Sequence, residues 1–200
     1  MIYINIGIDI DGVINNLSLF HMSCGSKFCF DHNLSCKIDT GGYDSTDIFN
    51  WGITIDGDFW EEYYLKLLLE TDYVRPYAVE VINKLKENHK IFIISSRKNS
   101  DLPLNAHDNM YNITKKYLNK MHLTYDTLIL TNKPKHHELI KNHIDTMIED
   151  NPIFFKESAP VLNIPLLCFD APYNKECSAN NIIRVYSWYD VLKTIEEVVL

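Results

Sequence analysis

Short apolar runs, each ending in a polar stretch and separated by segments of helical spacing, constrain this chain more than any other feature. The first, residues 3–10, is rich in isoleucine and stops at Asp11-Gly12, as a buried strand closed by a turn does. Comparable runs follow at 91–94, 128–130, 147–148, 166–169 and 182–185. Between the first two, Ala78, Val79, Val81, Ile82 and Leu85 are spaced to turn one helix face inward, with Pro76 at the helix start. Further helices are expected near 111–121, 136–142 and 188–199. Strands alternating with helices pair in parallel through right-handed crossovers. The expected fold class is therefore α/β, an open parallel sheet with helices on both faces.

Residues 15–74 break the alternation. They separate the first two strands by far more than a crossover helix needs, and they hold three of the five cysteines, Trp51, Trp60 and many other aromatics. The chain reads as a core domain of residues 1–14 and 75–200 with a small cap, 15–74, inserted after the first strand. One cap helix is expected through 59–65. Two hundred residues leave no room for a second full-sized domain. The net charge of −8, with no long basic run, argues against coating a nucleic-acid polymer. No apolar stretch approaches the ~20 residues of a membrane span. The opening MIYINIGIDIDG has acids and no basic lead, so a signal peptide is not expected and the cysteines are read as reduced thiols in a cytoplasm. His21, Cys24, Cys29, His32 and Cys36 cluster in the cap but lack a Cys-x-x-Cys pair, so packed thiols are expected there rather than a zinc site.

In open parallel sheets, ligands bind beyond the carboxyl ends of the strands. Those ends fall here at 9–11, 95–97, 131–135 and 149–150, and all four stretches are polar. Asp9 and Asp11 stand two apart before Gly12, and period-two geometry can point both into one space. The string lacks the later glycine and glutamate of an EF-hand, and no dinucleotide fingerprint or Walker lysine loop follows. Ser95 supplies a hydroxyl beside backbone N–H groups. Ser96 and Arg97 follow it, the arginine set for a phosphate or a cap contact. Lys135 supplies a cation, with Lys133 close enough to compete, and Glu149-Asp150 add two acids. This is an inventory for Mg²⁺-assisted phosphoryl transfer: hard oxygens hold the metal, while hydroxyl, amides and lysine hold the phosphate oxygens whose charge must be stabilised. A receiver-like switch uses a similar set, but needs no cap and carries its phosphoacceptor on a later strand. A non-catalytic phosphate-binding module would not need every catalytic residue type.

In order along the chain, IGIDIDGVIN, IFIISSR, Lys135 in KPKHHELIKNH, and IEDNP resemble the four motifs of the haloacid dehalogenase superfamily of phosphatases. VRPYAVEVINKLKENHKIFIISSR and YDTLILTNKPKHHELIKNHIDTMIEDNP resemble its 5'(3')-deoxyribonucleotidase-like branch, with FNWGITIDGDFWEEY adding support in the cap. The resemblance spans residues 3–14 and about 74–155. It implies a Rossmannoid core and a Mg²⁺-dependent phosphomonoesterase. The implied substrate is a small phosphorylated molecule, a (deoxy)ribonucleoside monophosphate or, alternatively, another metabolite. It further implies that Asp9 is the nucleophile that forms an aspartyl-phosphate and that Asp11 is the general acid and base. Ser95 and Lys135 would bind the phosphate, with Ser96 and Arg97 beside them. Mg²⁺ would be held by Asp9, the backbone carbonyl of Asp11, and Asp150. The chain departs from the pattern in carrying Ser95 where threonine is frequent, and Glu149 where aspartate is frequent, which makes Asp150 the expected direct ligand. Among the cap aromatics Phe28, Phe30, Tyr43, Phe49, Trp51, Trp60 and Tyr64, most should form a small core, leaving one or two to stack on a base.

Overall fold

A computed structural model describes residues 3–199. Its six strands are β1 (Asn5–Ile8), β2 (Lys90–Ser95), β3 (Thr127–Leu130), β4 (Thr146–Glu149), β5 (Leu166–Phe169) and β6 (Ile182–Val185). They form one sheet in the order β3-β2-β1-β4-β5-β6, and every pairing is parallel. Each of the six apolar runs is thus a strand. The helices are α1 (Leu17–Phe20), α2 (Ser26–Asp31), α3 (Ser45–Phe49), α4 (Ile53–Leu69), α5 (Ala78–Lys86), α6 (Met110–Lys120), α7 (His136–Lys141), α8 (Pro152–Ser158) and α9 (Trp188–Thr194).

The two faces follow from the strand period. On β2, Ile91 and Ile93 pack with Val81, Ile82, Leu85, Tyr117, Leu118 and Trp188, which belong to α5, α6 and α9. The alternate residues Phe92 and Ile94 pack instead with Leu139, Phe154 and Phe155 of α7 and α8. Two helix ends differ from expectation. The helix after Pro76 begins only at Ala78, because Tyr77 adopts a left-handed conformation with φ of 64°. After Thr194 the last helix widens to a π-helical turn, Ile195–Val199.

Between β1 and α5, helix α1, a π turn (His21–Gly25) and α2 follow one another directly. With α3 and α4 they enclose their own apolar cluster, which includes Phe20, Phe28, Phe49, Trp51, Phe59 and Tyr63. An isolated antiparallel bridge, Asn15↔Val74, ties the two ends of this segment together. The Asn16 N–H donates to Tyr73 O at 2.7 Å and the Arg75 N–H to Ile14 O at 2.8 Å, extending that closure. Leu68 of α4 then packs on Met110 and Ile113 of α6.

One sequence expectation is overturned here. Cys29 and Cys36 form a disulfide, leaving Cys24, Cys168 and Cys177 as free thiols. The chain reverses after α2, where Asn33 takes φ of 53° and the Leu34 N–H donates to Cys29 O. That turn brings the two cysteines to 6.5 Å between Cα atoms. The histidines of the same cluster point elsewhere: His21 packs edge-on to Trp60, and His32 bonds Glu62 at 3.1 Å. Among the described residues no helix is long and apolar enough to cross a membrane.

Candidate active site

The register sets Ile8 opposite both Ile93 and Ile148, so the carboxyl ends of β1, β2 and β4 lie side by side. Strand order reverses at β1, and that reversal opens the crevice where sheets of this kind bind ligands. Asp9 follows β1, Ser95 ends β2, Glu149 ends β4 with Asp150 next, and Lys135 stands at the start of α7.

Lys135 joins the acids. Its Nζ donates to Asp9 Oδ1 at 2.5 Å and to Glu149 Oε2 at 2.6 Å. Lys133 is exposed, so Lys135 is the lysine at the acids. Glu149 Oε1 also accepts the Asp150 and Asn151 N–H groups, at 3.1 and 3.2 Å, so both Glu149 oxygens are engaged. Asp150 differs. Its Oδ2 accepts the Tyr173 hydroxyl, while Oδ1 is buried with no partner among the described residues. Carboxylate oxygens of Asp9, Glu149 and Asp150 lie within 4.8 Å of one another, and the three residues are at most 5% exposed.

Three ionised carboxylates against one ammonium would leave two uncompensated negative charges in a site withdrawn from water. Burial, with Glu149 next, pushes Asp9 up to about 8, and Lys135 only partly opposes it. Burial and then Asp9 push Asp150 up to about 7. Burial alone would depress Lys135, but Asp9 and Glu149 outweigh it and hold the lysine above its ordinary range. The unsatisfied charge, the all-oxygen donors and the orphaned Asp150 Oδ1 together fit a hard divalent cation. Glycine is required beside them. Gly12 has φ of 90°, and a Cβ there would stand 1.9 Å from Asp150 Oδ2.

This charge excess carries an expected stability signature. Asp9 and Asp150 hold protons in the fold at pH values where the unfolded chain, near its ordinary 3.8, has released them. The native state then binds more protons than the unfolded one, and stability falls as pH rises. His21, lowered to about 4 by burial, has the opposite slope, but only below its ordinary 6.5. In EDTA the melting temperature should therefore fall between about pH 6.5 and 8, and Mg²⁺ should raise it most at the upper end. Differential scanning fluorimetry tests this; melting indifferent to both pH and Mg²⁺ in that window would contradict it.

Asp11 belongs to a second group. Arg97 Nε donates to Asp11 Oδ2 and Arg97 Nη2 to Asp11 Oδ1, both at 2.7 Å, and Asn15 Nδ2 donates to Oδ1 at 2.8 Å. Burial would raise Asp11, but the Arg97 guanidinium outweighs it and holds the carboxyl below its ordinary range. Arg97 is itself buried, and its Nη1 has no partner among the described residues. The sequence reading offered Arg97 a phosphate or a cap contact; its partner in the structure is Asp11. Ser95 is buried and its Oγ accepts the Arg97 N–H at 3.3 Å, whereas Ser96 is exposed.

A cavity of about 390 Å³ opens beside Asp11, lined by Leu17, Trp60, Tyr64, Leu67 and Asp101. Trp60, Tyr64 and Leu67 share one face of α4 at helical spacing, a signal the sequence carried. Trp51 lies away from this cavity, stacked on Phe49 at 4.6 Å with its indole N–H on Asp56. A larger cleft of about 600 Å³ runs behind Tyr173 along residues 176–182, and its lining includes none of the catalytic candidates. Sequence reasoning missed Tyr173, Asn174, Asn15 and Arg75, the last donating from Nε to Gly12 O at 2.9 Å. Extending the strand-end rule to the polar residues after β5 would have pointed to the first two.

No family model matches the chain. Nucleotidase CA_C3379 of Clostridium acetobutylicum is 30% identical over 196 residues, covering 96% of this chain and 94% of that protein. Among solved structures, the haloacid dehalogenase-like family protein SP0104 of Streptococcus pneumoniae superposes with a TM-score of 0.64 at 12% identity, covering 96% of this chain and 98% of that one. The HAD-hydrolase YfnB of Bacillus subtilis, bound to magnesium, gives 0.61 at 11%, covering 98% and 99%. The relative extends over nearly the whole of both chains, so the chain belongs to the family of that nucleotidase, hydrolases of phosphoric monoesters, and it has the fold of the solved haloacid dehalogenase-like hydrolases.

Proposed function

We propose that this enzyme is a Mg²⁺-dependent nucleotidase acting on nucleoside monophosphates through an aspartyl-phosphate on Asp9. The observation that carries the reading is the pairing of Lys135 with Asp9 beside an Asp150 oxygen that is buried and unpartnered among the described residues. Asp9, the backbone carbonyl of Asp11, and Asp150 would hold Mg²⁺, which would neutralise phosphate charge as the nucleophile approaches. The magnesium in YfnB supports that assignment, as does the name of the Clostridium relative for the substrate class.

Asp9 has one oxygen on Lys135, and its other oxygen attacks phosphorus. The bond to the leaving oxygen breaks with its electron pair, and Asp11 supplies that oxygen with a proton. A water then attacks the aspartyl-phosphate, Asp11 takes its proton, and the bond from phosphorus to Asp9 breaks to regenerate the carboxylate. Arg97 makes Asp11 a ready base for the second half. In the first half Asp11 must carry a proton, which an arriving phosphate dianion favours by repelling the carboxylate and engaging the free Arg97 Nη1. Ser95 and Lys135 bind the remaining phosphate oxygens.

The nucleobase would occupy the cavity between Leu17, Trp60 and Tyr64, with the helical segment over the crevice serving as a cap. A Mg²⁺-supplemented screen of phosphomonoesters tests the whole reading. Nucleoside monophosphates should lead it; if sugar phosphates lead and nucleotides are inert, the substrate assignment fails. Within that screen, Trp60→Ala should lower kcat/KM for nucleotides about ten- to hundredfold, corresponding to base stacking of about 1–3 kcal/mol. Its rate on p-nitrophenyl phosphate should stay near the parent value. Equal loss on every substrate would assign Trp60 to cap packing alone, with its indole N–H on Ser45.

A further inference from the structure

Tyr173 lies in none of the four motifs, yet its hydroxyl donates to Asp150 Oδ2. It sits in a short 3₁₀ turn, Pro172–Asn174, just after β5. That turn is braced on every side. Asn174 is buried, its Nδ2 donating to Asp150 O at 2.8 Å and to Phe169 O at 2.9 Å. Its Oδ1 accepts the Ala171 N–H and Arg184 Nη1, and Arg184 Nη2 donates to Asn174 O at 2.9 Å. Arg184 therefore fixes the turn, and the turn fixes where the Tyr173 ring stands. From the helical segment, the Tyr43 ring meets that of Tyr173 edge-on at 5.1 Å.

The consequence falls on Asp150. A carboxylate free to rotate would present either oxygen, or both, to a cation. With Oδ2 bonded to Tyr173, Oδ1 is the oxygen left wholly free, buried and without a partner among the described residues. Gly12 packs against the same carboxylate, nearest its Oδ2, where no side chain would fit. We propose that Tyr173 is a positioning residue for the metal site: its hydroxyl orients the Asp150 carboxylate so that Oδ1 meets the cation, and Tyr43 buttresses its ring. The proposal rests on the assignment of Asp150 as a metal ligand. Partners that orient ligands in this way typically contribute about 10- to 100-fold in metal affinity.

The test is direct metal binding to the EDTA-stripped, dialysed full-length protein. Mn²⁺ is counted from the EPR signal of the free ion, with Mg²⁺ as competitor. Tyr173→Phe keeps the ring and its contact with Tyr43 and should raise the Kd about 10- to 100-fold, while the melting temperature in EDTA at about pH 6 stays near the parent value. Tyr43→Ala probes the same arrangement from the other side and should weaken binding by a smaller factor. If the parent binds Mn²⁺, Asp150→Ala loses it and Tyr173→Phe binds within about twofold of the parent, the inference is overturned. A parent that binds no metal, or an Asp150→Ala variant that binds undiminished, overturns the metal-site assignment instead. A Tyr173→Phe variant that melts much earlier but binds with the parent Kd shows a role in folding alone.

Discussion

Asp9→Asn should abolish turnover on every phosphomonoester, whereas Asp11→Asn should leave a slow enzyme that still becomes phosphorylated. The amide that replaces the Asp9 carboxylate cannot accept a phosphoryl group, so neither a burst nor a phosphate adduct should appear. A neutral amide also gives up the Asp9–Lys135 ion pair, leaving Lys135 with Glu149 as its hydrogen-bonded acid. Asp11 has a different task in the proposed chemistry, moving one proton in each half-reaction, and each such transfer is typically worth about 10²–10⁴-fold. Its replacement leaves the Lys135 group intact, because Asp11 is bonded to Arg97 and Asn15 instead. The amide introduced by Asp11→Asn keeps one oxygen for the guanidinium, which limits the cost of leaving Arg97 buried and unpaired. With p-nitrophenyl phosphate, whose leaving group needs little protonation, Asp11→Asn should show a rapid burst of one equivalent followed by slow turnover. Rapid-quench kinetics and mass spectrometry of the trapped adduct read this directly. An adduct mapped to Asp11, or equal residual turnover in the two variants, would reverse the assigned roles.

The contrast between the two aspartates also marks how far the sequence could be read. Strand-end acids, a lysine before a helix and a second acid pair followed from six apolar runs and one rule about parallel sheets, and the sheet carries them where that rule puts them. The partner of Asp11 was not legible. Period-two reasoning treats residues 9–11 as continuing strand, but β1 ends at Ile8 and the Ile10 carbonyl accepts the N–H groups of Ile14 and Asn15. That turn carries Asp11 to Arg97, while Asp9, whose N–H still donates to Ile148 O, stays at the strand end beside Lys135. The Cys29–Cys36 bond depends in the same way on a left-handed residue, Asn33, which sequence does not mark beyond its tolerance for positive φ. Trp51 and Trp60 looked equivalent as candidates for base stacking. They are told apart by Asp56, which takes the indole N–H of Trp51 within the aromatic cluster, and by the helical repeat that aligns Trp60 with Tyr64. Tyr173 had no spacing to announce it, since an aromatic hydroxyl can reach a carboxylate from any neighbouring loop.

Lys135→Met should be the variant in which stability and catalysis are lost through one atom. The Lys135 ammonium is the sole cation hydrogen-bonded to Asp9 and Glu149 among the described residues, and all three groups are buried. Breaking a buried ion pair from one side typically costs about 3–5 kcal/mol, because the remaining charge has neither water nor a partner. The acids can escape that cost by taking up protons. Lys135 lowers the proton affinity of Asp9 and Glu149, so its removal should raise both further. The sign follows from linkage: groups that bind protons more tightly in the fold add stability at low pH and lose it as pH rises. Urea unfolding should therefore show a deficit that is small near about pH 5 and large near about pH 8, with saturating Mg²⁺ recovering part of it. Turnover should not recover with stability. A protonated Asp9 is a poor nucleophile, and the cation proposed to hold the transferring phosphate is gone, so kcat should fall at least about 10²–10³-fold even with Mg²⁺. Parent-like stability at about pH 8 together with kcat within about threefold of the parent would show that the lysine is a bystander to both.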